Sequence, residues 1–220
     1  MTQLPYGLKT AGRGKAYEMM SCFVGLTEYA RATGDQSLLG KVTEARDHIA
    51  DFYREVNGCM SEREWFPNAE NISEHSELKN CVAFTWIQLN LRLFVLTGDI
   101  RCIDYAEETA YNHIMQYICP DGSTWIYYTL LTGPKDFSYW SQLPGSAHCH
   151  EMMRLLGASL AEETPEKAEP VPEAPLTCCH TNGQSALGLV PQYIYTQSKN
   201  DIFINFFIDS SKPLWSMVSQ

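Results

Sequence analysis

The chain has 220 residues, of which 45% are hydrophobic and 19% charged, with a formal net charge of −10 and a pI near 5.0. That length buries one good core, or one domain and the start of another. No run of about 18 apolar residues is present to span a membrane as a helix, and an acidic chain without a Lys/Arg cluster is a poor match for a phosphate backbone.

Met1-Thr2-Gln3-Leu4-Pro5-Tyr6 lacks the basic start and apolar stretch of a signal peptide. It also opens on no recognisable element, so the chain is expected to begin inside a larger protein. A repeat follows. Leu26–Asp35 resembles Leu89–Asp99, and both end in Thr-Gly-Asp, at Thr33-Gly34-Asp35 and Thr97-Gly98-Asp99. Gly takes the left-handed position that closes a helix, and Asp then caps the next one. Each copy therefore reads as an α-hairpin: Gly14–Thr33 with Ser37–Val56, and Asn80–Thr97 with Arg101–Tyr117. Ser123–Leu130 is rich in aromatic and β-branched residues and reads as a strand. Glu151–Leu160 reads as a helix, and residues 160–177, rich in Glu, Pro and Ala, as a loop or insertion. A third, looser copy of the repeat is Ala186–Tyr195, ending at Ser198-Lys199-Asn200-Asp201. Asp201–Asp209 reads as a buried strand in need of a sheet. Successive helical hairpins suggest an α/α toroid or a helical solenoid.

Eight cysteines are scattered through this pattern: Cys22, Cys59, Cys81, Cys102, Cys119, Cys149, Cys178 and Cys179. In a chain this long and helical they read as free thiols of a reducing compartment, which slightly favours the cytoplasm. Cys22, Cys102 and Cys119 are expected in the core. Cys178-Cys179 is different. Adjacent cysteines rarely bridge each other, and at a loop-to-helix junction two thiols can point into one pocket, where a helix N-terminus favours the thiolate. With Cys81 or Cys149 they could hold a soft metal, although no zinc-finger spacing is present.

Two other clusters carry chemistry. In Glu62-Arg63-Glu64-Trp65-Phe66 a carboxyl beside two aromatic rings is expected to have a raised pKa, suited to a general acid; the competing reading is a solvated loop. Trp125, Tyr127, Tyr128, Phe137, Tyr139 and Trp140 offer faces for stacking a sugar, or core packing. His148-Cys149-His150 could bind metal, or lead into the next helix.

Several of these motifs occur in a familiar order: Gly14-Lys15-Ala16-Tyr17-Glu18-Met19-Met20-Ser21, Leu96-Thr97-Gly98-Asp99, Ala110-Tyr111-Asn112, Asp121-Gly122-Ser123, and Cys178-Cys179 leading to Leu189–Tyr195. Together they resemble glycoside hydrolase family 127, the β-L-arabinofuranosidase-like proteins, from about residue 14 to 209. The resemblance implies a mainly α fold, part of an (α/α)6 six-hairpin toroid with a short β-strand insertion. Residues 1–200 would form a partial catalytic domain and 201–220 the first strand of a truncated β-sandwich. It implies retaining hydrolysis of β-L-arabinofuranosides or related sugars in an arabinose-containing glycan, with Zn2+ as cofactor; composition, not the resemblance, argues against a nucleic acid or membrane partner. Carried over, Cys178 is the nucleophile and Glu64 the general acid/base. Cys81, Cys178 and Cys179 hold zinc, and Tyr127 lines the sugar site. The ligand glutamate belongs two residues before Cys81, where Lys79 stands; Glu77 is the substitute. That departure and the partial extent imply impaired turnover, or a non-catalytic carbohydrate-binding or scaffold fragment.

Overall fold

A computed structural model describes residues 15–67, 77–118, 125–126, 128–131, 178–209 and 218–219. These residues are mainly helical. Helix α1 (Ala16–Thr33) and helix α2 (Gln36–Phe52) form the first hairpin. Gly34, at φ 75°, closes α1 by donating its N–H to Ala30 O, and the Asp35 carboxylate accepts the Leu38 N–H at 2.9 Å to cap α2. The second hairpin opens with helix α3 (Asn80–Thr97), closed by Gly98 at φ 66°. Helix α3 is apolar nearly all round and buries Cys81, Val82, Trp86, Ile87, Leu89, Leu91, Leu93 and Phe94. Such a helix belongs at a centre, and α3 packs against α1 and the helix that follows it.

The rest of the second hairpin departs from the single helix expected over Arg101–Tyr117. Helix α4 stops at Thr109, after Arg101–Thr109, and the chain continues as a π turn, Ala110–Ile114, and a 3-10 turn, Met115–Tyr117. The wider turn brings His113 fully inside, 3.1 Å from Asn57 Nδ2 through its Nδ1, while Asn57 Nδ2 donates to Tyr117 Oη at 3.3 Å. Gly58, at φ 81°, packs directly on Thr109 at the end of α4, where a Cβ would stand 2.4 Å from Thr109 Oγ1.

A strand that sequence reasoning did not foresee, β1 (Glu77–Lys79), pairs antiparallel with β2 (Tyr128–Leu130), in the register Glu77 with Leu130, Leu78 with Thr129 and Lys79 with Tyr128. The strand expected over Ser123–Leu130 is thus confined to its last three residues among those described, with Trp125 bridging to Ile118. Helix α5 (Cys178–Leu189) also packs on α3 and runs into a 3-10 turn, Val190–Tyr193, that carries Pro191 at its start.

The third copy of the repeat is not an α-hairpin. Residues Ser198–Asp201 close a β-hairpin between β3 (Tyr195–Gln197) and β4 (Ile202–Ile204), with the Ser198 N–H donating to Asp201 O. A short β5 (Val218–Ser219) lies parallel to β3 on its other side. The strand expected to be buried over Asp201–Asp209 is three residues long and exposed, because β4 is the edge of this sheet. Only Asn205 and Phe206 turn inward, Asn205 donating to Tyr193 O and Thr196 Oγ1.

No disulfide joins any of the six described cysteines to another. Cys102 is buried as expected, but Cys22 is exposed. Cys119, Cys149, Tyr127, Phe137, Tyr139, Trp140, His148, His150, Glu151–Leu160 and residues 160–177 lie outside the described residues.

Candidate active site

Cys81 occupies the first turn of α3, and Cys178 and Cys179 are the first two residues of α5. The packing of these helices brings both N-termini to one place, although Cys81 and Cys179 are 98 residues apart in the chain. Cys81 Sγ and Cys179 Sγ are 3.2 Å apart, and all three sulfurs lie within 4.8 Å of one another. Cys81 and Cys179 are fully buried and Cys178 is exposed. Tyr17, from α1, and Tyr128, from β2, pack against the buried pair.

Two helix N-termini favour negative charge, yet three sulfurs cannot share it without a cation. Hydrogen bonding with Cys178, joined by burial, pushes the Cys81 thiol up to about 12. Burial and its two sulfur neighbours hold Cys179 well above the usual thiol range. A thiophilic metal reverses this, because a coordinated thiol ionises. Zn–S bonds of about 2.3 Å set tetrahedral sulfurs about 3.8 Å apart, which the observed cluster matches with small adjustments. The donor set therefore fits zinc, with its fourth ligand still to be supplied.

The carboxylates expected nearby are engaged elsewhere. Glu64 sits at the tip of a tight turn in which Glu62 and Trp65 exchange backbone hydrogen bonds and Arg63 adopts φ 54°. A non-glycine residue there stores strain, and such strain gathers at functional sites. The Ala16 N–H donates to Glu64 O at 2.8 Å, fastening the turn to the start of α1. Lys15 Nζ donates to Glu64 Oε2 at 2.7 Å, and Lys79 Nζ donates to Oε1.

The expected raised pKa of Glu64 is not observed. Burial does push the carboxyl up, but the hydrogen bonds and charges of Lys15 and Lys79 outweigh it and hold it at about 2. The aromatic neighbours do not enclose it: Phe66 stacks on Tyr53 in the core, and Trp65 is exposed beneath the Lys15 ammonium. Glu77 is buried, but its Oε2 accepts from Arg63 Nε at 2.7 Å, and among the described residues no carboxylate belongs to the sulfur cluster. Lys79 is buried beside it. Burial pulls its pKa down, but the Glu64 hydrogen bond and the charges around it prevail and keep it above the usual lysine value.

Sequence reasoning missed Lys15, Tyr17 and Tyr128 as neighbours of the centre. Tyr128 carried no signal for this, because only the β1–β2 ladder sets it directly opposite Lys79 and on the same face of the sheet. One further contact sets the pose of the cysteine pair. Gly183 in α5 lies flat on the Trp125 ring, so close that a Cβ would stand 2.2 Å from it, and Trp125 is anchored by its Nε1–H donating to Ile114 O.

Residues 10–190 match the family described as β-L-arabinofuranosidase, GH127 catalytic domain. The chain is similar to a solved GH127 β-arabinofuranosidase at TM-score 0.64 and 20% identity, over 88% of this chain and 26% of that one. It is also similar to a GH127 β-L-arabinofuranosidase from Geobacillus stearothermophilus T6, at TM-score 0.64 and 18% identity, over 89% of this chain and 28% of that one. A structure described as a glycoside hydrolase gives TM-score 0.61 and 16% identity, over 88% of this chain and 32% of that one. No curated protein matches. The chain thus spans about a quarter to a third of the length of these solved structures, and at such identities the likeness is one of fold.

Proposed function

This chain belongs to the GH127 β-L-arabinofuranosidase catalytic-domain family, and on that premise we propose that it is part of a retaining glycoside hydrolase acting on β-L-arabinofuranosides or related sugars, with turnover impaired in this partial chain. Residues 1–200 would belong to a six-hairpin toroid and 201–220 to the start of a β-sandwich. The observation that carries the reading is the cluster of three thiols at the N-termini of α3 and α5, two buried and one open to solvent.

Cys81, Cys178 and Cys179 would hold the zinc, which when bound lowers the pKa of the thiols. Cys178, the exposed member, attacks the anomeric carbon, and the bond to the leaving oxygen breaks. A thioglycosyl intermediate results, which water then hydrolyses with net retention. Glu64, ionised at rest, is suited to the second half, taking the proton from that water. For the first half it must hold a proton for the leaving oxygen, so one lysine has to let go. Lys15, more than a third exposed, has the room to swing away; Lys79 is enclosed. Tyr17 and Tyr128 flank the sulfurs, and exposed Trp65 beside Glu64 offers a face for a sugar ring.

The test is turnover of an aryl β-L-arabinofuranoside by the reduced, zinc-loaded chain. Cys178→Ala is expected to abolish it and Glu64→Ala to reduce it at least about a hundredfold, as loss of an acid/base group does, with the fold retained. Turnover that survives Cys178→Ala rules out the thiol nucleophile. The clamp of two lysines on Glu64 favours a second reading, a carbohydrate-binding or scaffold fragment without turnover. Binding of arabinose-containing oligosaccharide with no hydrolysis by any variant would establish it.

A further inference from the structure

Lys79 is an unexpected neighbour for a thiol cluster that can take a cation. It is only 4% exposed. It ends β1 two residues ahead of Cys81, and its Nζ lies 5.9 Å from the centroid of the Tyr128 ring, the ring that packs against Cys81 and Cys179. Lys79 and Tyr128 are opposite partners in the β1–β2 ladder, so both side chains leave the sheet on one face. The ammonium therefore stands in the wall of the thiol site. Ser61 Oγ accepts the Lys79 backbone N–H at 3.0 Å, and Glu64 holds the ammonium itself. Among the described residues no carboxylate joins the three sulfurs.

We propose that Lys79 sets the metal affinity of this centre. Its fixed positive charge stands beside the sulfurs, so a divalent ion at the thiols is bound against that charge and exchanges readily. The proposal rests on the metal reading given above and deepens it. A unit charge within about 10 Å of a divalent ion changes its affinity by well over tenfold, even at an effective dielectric constant of about 20. Neutralising Lys79 therefore tightens the site. Inverting its charge tightens it further, because a carboxylate is also a zinc ligand.

The experiment is chelator-competition titration of zinc into the full reduced chain and its Lys79→Arg, Lys79→Gln and Lys79→Glu variants, with circular dichroism to verify the fold. The expected order follows charge. Arg binds within about threefold of the wild type, Gln at least about tenfold tighter and Glu at least about a hundredfold tighter. Zinc taken by the Gln and Glu variants but not by the wild type is the extreme form of the same result. A packing role for Lys79 gives the opposite pattern, every replacement loosening the site, and overturns the proposal. Equal affinity across the series also overturns it, while leaving the metal reading standing. Zinc bound by none of the four removes both. The series is repeated in a Glu64→Gln background, where the order is expected to persist. If the tightening vanishes there, the freed Glu64 carboxylate is the ligand and the charge of Lys79 is not the cause.

Discussion

Glu64 is held between two ammonium groups, and that has a measurable cost in acid. Its folded pKa, about 2, lies below the ordinary carboxylate value of about 4.3. A depressed carboxylate pKa contributes stability above the unfolded pKa and loses it as pH falls through the folded one. Glu64→Gln is therefore expected to lower Tm at pH 6–7, and the gap to the wild type should close as pH falls from about 4 toward about 2. A gap of constant size across that range would show that the pair contributes through geometry and not charge. The Glu-Trp-Phe neighbourhood drew attention to Glu64 in the sequence, but with the wrong sign for its pKa. Its partners were not legible, since Lys15 and Lys79 come from 49 and 15 residues away and only the folded turn brings them together. Gly183 makes the same point with packing. A methyl there would overlap the Trp125 ring, whereas one on Gly188 would meet nothing within 4 Å. Gly183→Ala is expected to destabilise by about 1–3 kcal/mol through overpacking, and Gly188→Ala to be neutral or to stabilise by up to about 1 kcal/mol. Chemical denaturation of both variants checks the contrast.

Identical tripeptides end α1 and α3, and the two elements they join use the aspartate differently. Asp35 caps α2 through its side chain, as the motif suggests. Asp99 does accept the Arg101 N–H at 3.1 Å, but Ile100 is the residue at the helix boundary. The Asp99 carboxylate instead anchors Arg46, a fully buried guanidinium from α2 that also donates to Cys102 Sγ and meets Asp47. One copy is a local cap and the other a tie between hairpins. Asp35→Ala is accordingly expected to cost about 1 kcal/mol. Asp99→Ala leaves a buried guanidinium with Asp47 as its remaining carboxylate among the described residues, and should cost toward the lower end of the about 3–5 kcal/mol seen when a buried pair is broken. Equal losses from the two would refute the distinction. The hairpins themselves were legible because Gly closes a helix wherever it falls. The third copy failed because Ser198–Asp201 supplies turn residues without a closing glycine, and β-branched and aromatic residues on both sides take the extended conformation instead. Strand β1 was invisible because three residues, Glu77, Leu78 and Lys79, have no periodicity to read; only pairing with β2 defines them.

The thiol cluster joins parts of the molecule that lie far apart in the sequence. Cys81 begins the central helix and Cys179 begins a helix 98 residues later, so a metal held by both pins α5 to the core. The adjacent pair was recognisable as chemistry, and the reach of Cys81 to it was inferred from a family resemblance, since spacing alone said nothing about that contact. A ligand that binds only the folded chain stabilises it by mass action, about 2.7 kcal/mol at a hundredfold excess over Kd. For a chain of this length that corresponds to a rise in Tm of about 5–10 °C. Zinc is therefore expected to raise the Tm of the reduced chain by that order, and a chelator to reverse it. Cys179→Ala and Cys81→Ala should each remove the rise, because two thiols cannot replace three. Cys22→Ser should leave it intact, because Cys22 is an exposed thiol on α1 and no member of the cluster. The comparison separates binding at the centre from capture of zinc by any accessible thiol. A rise retained in all three variants would mean that the metal finds sulfur wherever it is exposed, and the bridge between α3 and α5 would no longer explain it.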